Sequence, residues 1–171
     1  MVYDVPPRLV WPKGQRNRVK SLHMVDHVQH QMQVAAQFSR FAADCDDVQA
    51  LLDEACCVAA DGLAVGLAKV LVYLPEERVF VLQAGIGWRE GIVGHARLYA
   101  DTGTAAGFTW HTGRSVMSND IVAEGRFRVP GILAEHGIGS SINVVIPAAG
   151  NDVEAFGVLE VEGPRPGDFM I

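Results

Sequence analysis

Cysteine, long apolar runs and basic side chains are all scarce in this sequence. Three cysteines, Cys45, Cys56 and Cys57, occur in 171 residues. An odd number with two adjacent gives neither a disulfide framework nor a CxxC pair. They read as small buried apolar side chains of a reducing compartment, which points to the cytoplasm. No apolar run reaches the ~18 residues of a membrane span, and the N-terminus lacks the apolar segment of a signal peptide. Acidic residues outnumber basic ones 20 to 14, for a net charge of −6. Residues 1–22 sum to +4 and the remainder to −10. An acidic body repels a phosphate backbone, which argues against a nucleic-acid-binding core. The basic leader reads as a solvated arm.

Phosphate-loop chemistry is also missing. Gly85, Gly87, Gly91 and Gly94 follow a strand-like run, but no GxGxxG opens a helix and no GK[ST] closes the stretch. These glycines serve tight turns. No nucleophile elbow surrounds Gly139-Ser140-Ser141. His23, His27 and His30 share a helix face, but no carboxylate pattern completes a zinc site, so they read as solvated. Asp120 and Glu124 suit bonds to loop amides better than acid–base work. No catalytic residue, metal or cofactor is expected.

What is present is a globular composition, 49% hydrophobic and 20% charged, in a chain long enough for one domain. Residues 1–18 carry Pro6, Pro7, Pro12 and Gly14 and read as a flexible arm. From Val19 to Ala43 neither Gly nor Pro occurs. Val25, Val28, Met32, Ala35, Ser39 and Ala42 form a stripe with heptad character. Val34, Phe38 and Phe41 widen it, which suits contact with the domain on one side and a second chain on the other. Asp46 or Asp47 can cap a second helix ending near Gly62. Residues 68–74 and 79–84 are β-branched and apolar and are joined by Pro75-Glu76-Glu77-Arg78, a hairpin pattern. Thr104 can cap a short helix that Gly113 ends, and Pro130 can start another turn of helix. Strands are predicted at 115–118, 141–146 and 155–162, the last two joined by a turn at Gly150-Asn151-Asp152. Hairpin-linked strands with grouped helices point to an α+β fold with an antiparallel sheet.

Several segments carry a family likeness. They are residues 85–94 (GIGWREGIVG), 104–108 (TAAGF), 112–116 (TGRSV), 118–120 (SND), Arg126-Phe127, 133–138 (LAEHGI) and 156–161 (FGVLEV). Their order and spacing, from about Gln37 to Phe169, resemble the GAF domains of bacterial sensor histidine kinases. The resemblance implies a GAF-like fold: a central antiparallel sheet of about six strands, flanking N-terminal helices, and short helices over the other face above a ligand-sized pocket. The domain then runs from residue 19 to 171 and opens with a dimerisation helix, while the C-terminal signalling helix that usually packs beside it is missing.

The resemblance further implies a cytoplasmic sensory or regulatory role, usually as a homodimer, with a downstream kinase module if the chain is part of a larger protein. Asn17-Arg18-Val19-Lys20 only superficially matches a phospho-acceptor box, because Asn17 stands where the histidine should be. The fold leaves the ligand open, so the residues must decide. Covalent bilin attachment and GAF-type methionine sulfoxide reduction both require later cysteines, and none follows Gly62. Cyclic-nucleotide binding is poorly matched, since Asn119 is followed by Asp120 rather than Lys. Haem ligation by His111 or His136 is a weaker alternative. The expected pocket residues are Tyr99, Phe108, Trp110, His111, Asp120, Phe127, His136 and Asn143, aromatic walls with a few polar groups that suit a small flat ligand. The alternative to a sensor is a ligand-free dimerisation scaffold. The dimer helix is expected to use Val25, Val28, Met32 and Ala35.

Overall fold

A computed structural model describes residues 13–148 and 155–169. Helix α1 (Lys13–Asp44) is followed by α2 (Val48–Gly62) and the hairpin of β1 (Leu67–Leu74) and β2 (Val79–Ile86). Then come β3 (Arg97–Tyr99), α3 (Ala105–Thr112), β4 (Val116–Ser118), α4 (Gly131–Glu135), β5 (Ser140–Ile146) and β6 (Gly157–Gly163). The six strands form one antiparallel sheet in the order β3-β2-β1-β6-β5-β4. This is the expected α+β architecture.

Local chemistry accounts for most boundaries. Asp47 caps α2, accepting from the Gln49 and Ala50 amides. Thr104 Oγ1 caps α3 at the Gly107 amide, 3.1 Å away, and Gly113 ends that helix at φ 66°. Gly107 lets α3 approach its own leading loop, since a Cβ there would lie 2.0 Å from the Asp101 carbonyl oxygen. One expectation changes: α1 starts at Lys13, so residues 13–18 are helix rather than arm. The Gln, Arg and Lys residues among 13–18 are good helix formers, and Pro12 precedes them in the sequence. Residues 1–12, the rest of that arm, and the turn at 150–152 lie outside the described residues.

The sheet is covered on both faces. On one, Cys56 and Ala60 of α2 pack on Ala68, Val70, Ala84 and Val161. On the other, Ala106 and Trp110 of α3 pack on Leu71, Phe80, Leu82 and Val158. Between Val70 and Leu71 the β1–β2 register shifts by one residue, which sets Gln83 apart. Gln83 and Gln49 of α2 then bond reciprocally, side chain to side chain at 2.7 Å and amide to main-chain carbonyl at 3.3 Å. α1 lies outside α2, with Val34 buried at 7% exposure and Phe38 half-buried. The stripe of Val25, Val28, Met32 and Ala35 turns away from the domain, and Met32 is 69% exposed. No helix among the described residues is long and apolar enough to cross a membrane.

Candidate functional site

Beneath α3 and α4 the sheet is polar. β-strand side chains alternate, so one face of the four central and edge strands collects Lys69, Glu160, Glu162, Asn143, Ser141 and Ser118. Register places Ser118 opposite Ser141, Ser141 opposite Glu162, and Asn143 opposite Glu160. All six are buried. The same face carries Leu71 and Val158 further along, so the polar band is a local departure from an apolar core.

The ammonium of Lys69 sits between the carboxylates of Glu160 and Glu162. Burial works against its charge, but the two carboxylates more than offset this and hold its pKa above the usual lysine value. Burial pushes Glu162 up to about 8; Lys69 opposes that shift and Glu160 reinforces it. At neutral pH the set therefore holds a proton, the state with one positive and one negative charge. Glu162 Oε2 and Asn143 Oδ1 have no hydrogen-bond partner. The Asn143 amide nitrogen donates only a long bond, 3.4 Å, to Ser141 Oγ.

Above this band lies a small inner cavity of about 30 Å³. Its floor is Ser118, Ser141 and Glu160; its roof is Ala106, Phe127 and Leu133. It adjoins an outer cleft of about 330 Å³, reaching over Arg97, Gly131 and Ile132. Both share Leu98, Tyr99, Thr104, Arg128, Val129 and Pro130. At the mouth, Arg128 donates to both Asp101 oxygens at 2.7 and 2.6 Å, and its amide donates to the Gly103 carbonyl. This pair is exposed, so it orders the rim more than it stabilises the fold. Asp101 is held below the usual carboxylate range by the Gly103 amide first and by Arg128, against an opposing effect of desolvation. Beside the floor, Glu124 accepts from Ser118 and Arg126. The Arg126 bond above all brings its pKa down to about 2.

The expected pocket residues divide. Tyr99, 75% exposed, and Phe127 line the cavity. Asn143 lies in the polar band beside it. Phe108 packs behind Phe127, with ring centroids 5.5 Å apart. Trp110 fills the core against Tyr73 and Phe80 and donates to the Ala155 carbonyl. His111 is exposed at the end of α3, and Asp120 accepts from the Val122 and Ala123 amides. His136 Nδ1 bonds the Ile132 carbonyl at 2.8 Å while its ring packs on Trp88. Neither cavity is lined by a histidine, and the inner one is far too small for a porphyrin, so these residues do not fit haem. Sequence reasoning missed Lys69, Glu160 and Glu162. Their signal was a lysine and two acids at matching parity on what prove to be neighbouring strands.

A sheet of this order, with long helices on one face and a cavity under short helices on the other, has the architecture of a GAF-like α+β domain. The chain belongs to the GAF domain family, whose model matches residues 47–170. The GAF domain of a phosphoenolpyruvate-protein phosphotransferase from Coxiella burnetii is similar, with a TM-score of 0.69 at 14% identity over 82% of this chain and 80% of that one. The corresponding domain from Acinetobacter gives 0.64 at 17% identity over 84% and 80%. Free methionine-R-sulfoxide reductase from Neisseria meningitidis, in complex with its substrate, gives 0.65 at 19% identity over 81% and 76%. A comparison with curated proteins finds no match. Such identities establish the shared fold alone. The family is in general regulatory or sensory, and it includes enzymes.

Proposed function

We propose that this chain is a non-catalytic sensory and regulatory GAF domain of a bacterial signalling protein of the histidine kinase type, working in the cytoplasm. It binds a small molecule between the polar band and the short helices. It transmits occupancy through α1, paired with a second copy. The observation that carries this reading is the inner cavity, floored by buried polar groups and continuous with a wider cleft. A pure core would place apolar side chains at those positions. The non-catalytic part is supported by the position of the thiols. Cys56 packs in the helical layer on the opposite face of the sheet, and Cys45 and Cys57 lie at or on α2. No cysteine lines the cavity, and burial raises Cys56 to about 12, which keeps it a thiol.

The dimer reading is supported by the outward row of Val25, Val28, Met32 and Ala35. A downstream kinase module would then be driven by the relative packing of two α1 helices. Complete switching from 1:99 to 99:1 takes about 5.5 kcal/mol of differential affinity, so a weak ligand gives a graded response. The small inner volume favours a second reading, a ligand-free dimerisation module.

Native mass spectrometry beside a denatured run separates the two. An excess mass in the native spectrum alone establishes a non-covalent ligand. A bare dimer that takes up no metabolite added to it favours the ligand-free module. A monomer removes the proposed pairing of α1.

A further inference from the structure

The outer cleft is lined by one sign of charge. Arg97 and Arg128 are part of its wall and no acid is. The acids of the region border the inner cavity, where Glu160 is paired with Lys69 and Glu124 with Arg126. The arginines' own partners, Glu77 and Asp101, stand off the cleft wall and are 56% and 52% exposed. Exposed pairs of this kind are weak. The set is formally balanced, yet the first charges a molecule in the cleft meets are cationic. Both guanidinium groups are held in place with donors to spare. Arg128 spends Nη2 on both Asp101 oxygens, lies 6.0 Å over the Tyr99 ring, and donates its amide to the Gly103 carbonyl. Gly103 leaves it room, since a Cβ there would lie 3.2 Å from Nη2. Arg97 donates from Nη1 to the His95 carbonyl at 3.0 Å, and from Nε to Glu77 at a long 3.4 Å. Arg128 Nη1 and Arg97 Nη2 have no hydrogen-bond partner among the described residues. Alternation along β3 turns Leu98 inward and puts Arg97 and Tyr99 on the same side, so the two guanidiniums flank one aromatic ring.

Resting on the sensory reading above, we infer that the outer part of the site takes an organic monocarboxylate with an apolar body. Arg97 and Arg128 hold its carboxylate, and its body lies along Leu98, Val129, Pro130 and Ile132. A guanidinium presents N–H groups at the spacing of carboxylate oxygens, and such charge-assisted bonds are about twice as strong as neutral ones. The cleft, at about 330 Å³, has the size of a small-molecule site, with apolar walls and few polar groups. A single negative charge fits best. Glu77 and Asp101 already screen part of the arginines' charge, so a phosphate dianion meets more repulsion than a carboxylate. An alkylammonium meets two guanidiniums and no acid in the same cleft. Glu160 on the inner floor sets the direction, keeping the carboxylate at the outer end.

The test titrates hexanoate, 1-hexanol and hexylammonium into the full chain and follows them by amide-resolved NMR. The expected result is saturable shifts at Leu98, Tyr99, Arg128, Val129 and Ile132 with hexanoate. Its affinity should exceed that of hexanol at least about tenfold, and hexylammonium should give no shifts there. Arg97→Gln and Arg128→Gln should each weaken hexanoate about three- to tenfold and leave hexanol unchanged, a split that a merely structural loss does not produce. If one variant fails to fold, the other decides. Hexanol or hexylammonium binding at these amides as tightly as hexanoate overturns the assignment. So does hexanoate affinity undiminished in the folded variants. Shifts that never saturate, or silence from all three probes, overturn it as well. The sensory reading is scored separately: a ligand co-purifying in the native mass spectrum upholds it even when the carboxylate assignment fails, and a bare mass then ends both.

Discussion

Trp88 roofs Lys69. The ammonium nitrogen lies 4.8 Å from the indole centroid, and the indole N–H donates to the Ala68 carbonyl at 2.9 Å. The ring reaches that place because Gly85 has no side chain; a Cβ there would lie 2.7 Å from Trp88 Cδ1. Trp88→Ala removes the roof and opens the buried ion cluster to water. It should cost about 3 kcal/mol, measured by urea unfolding. Gly85→Ala should act in the same direction by displacing the ring.

Lys69→Met should cost more per atom removed. It leaves two buried acidic groups sharing one negative charge with no counter-charge, and removal of one partner from a buried ionic cluster costs about 3–5 kcal/mol. Adding Glu160→Gln and Glu162→Gln to Lys69→Met removes the orphaned charge and should recover much of that loss. Unfolding midpoints across this series measure it.

The cluster also fixes a pH dependence. Glu162 holds its proton up to about pH 8 in the folded chain but ionises near its ordinary value of 4.5 when unfolded. The folded state therefore binds more protons through that window. Stability is fullest below the unfolded value and falls as pH rises toward 8, by at most about 1.4 kcal/mol per unit from this group. Glu162→Gln should flatten the decline. Glu124, depressed to about 2 by Arg126 above all, works the other way: its contribution is present above about 4.5 and is lost as pH falls toward 2. Guanidinium unfolding from pH 3 to pH 9 reads both.

On α1, two valines should behave oppositely. Val28 is exposed and Val34 is buried against the domain; a Cβ on Gly62 would meet Val34 Cγ2 at 3.2 Å. Val28→Asp should convert dimer to monomer in sedimentation equilibrium while leaving far-UV circular dichroism unchanged. A dimer that survives it sinks the proposed pairing. Val34→Asp should instead loosen α1 from α2 and lower the unfolding midpoint.

The thiols should separate by burial. Cys57 is exposed and Cys45 is partly so. Both should react with a thiol reagent at pH 8 within minutes. Cys56, raised to about 12 chiefly by burial and secondarily by Asp53, should react only on denaturation.

The helix caps, the hairpin and the antiparallel class were legible because each rests on local chemistry: Asp47, Thr104 and Gly113 act within a turn of themselves. The third strand was not. Arg97–Tyr99 is three residues long with only Leu98 turned inward, too short for alternation to register. The polar band was hidden by a sound rule applied to the wrong strand. In residues 159–162 (LEVE) alternation reads as one wet face and one dry face. β6 lies at the centre of a sheet covered on both sides, so the acids point into the interior and find Lys69 there. The breadth of the α1 stripe and its contact with the domain were legible; which of its residues meet the domain was not. The domain takes Val34 and Phe38, and the regular heptad row faces outward, because the groove beside α2 meets a different side of the helix. Aromatic side chains were assigned to the pocket by type. Trp110 went to the core instead, because its indole N–H finds a backbone carbonyl at Ala155.

The geometry of α1 acts as a gear. Its buried anchor to the domain is Val34, near the middle of a helix that starts at Lys13. At 1.5 Å per residue, the arm from Val34 back to Lys13 is about 32 Å long. A tilt of about 5° at the anchor would move the far end by roughly 3 Å, about half a helical turn of rise. By geometry alone, a small change in how Val34 seats against α2 is multiplied at the far end of the helix.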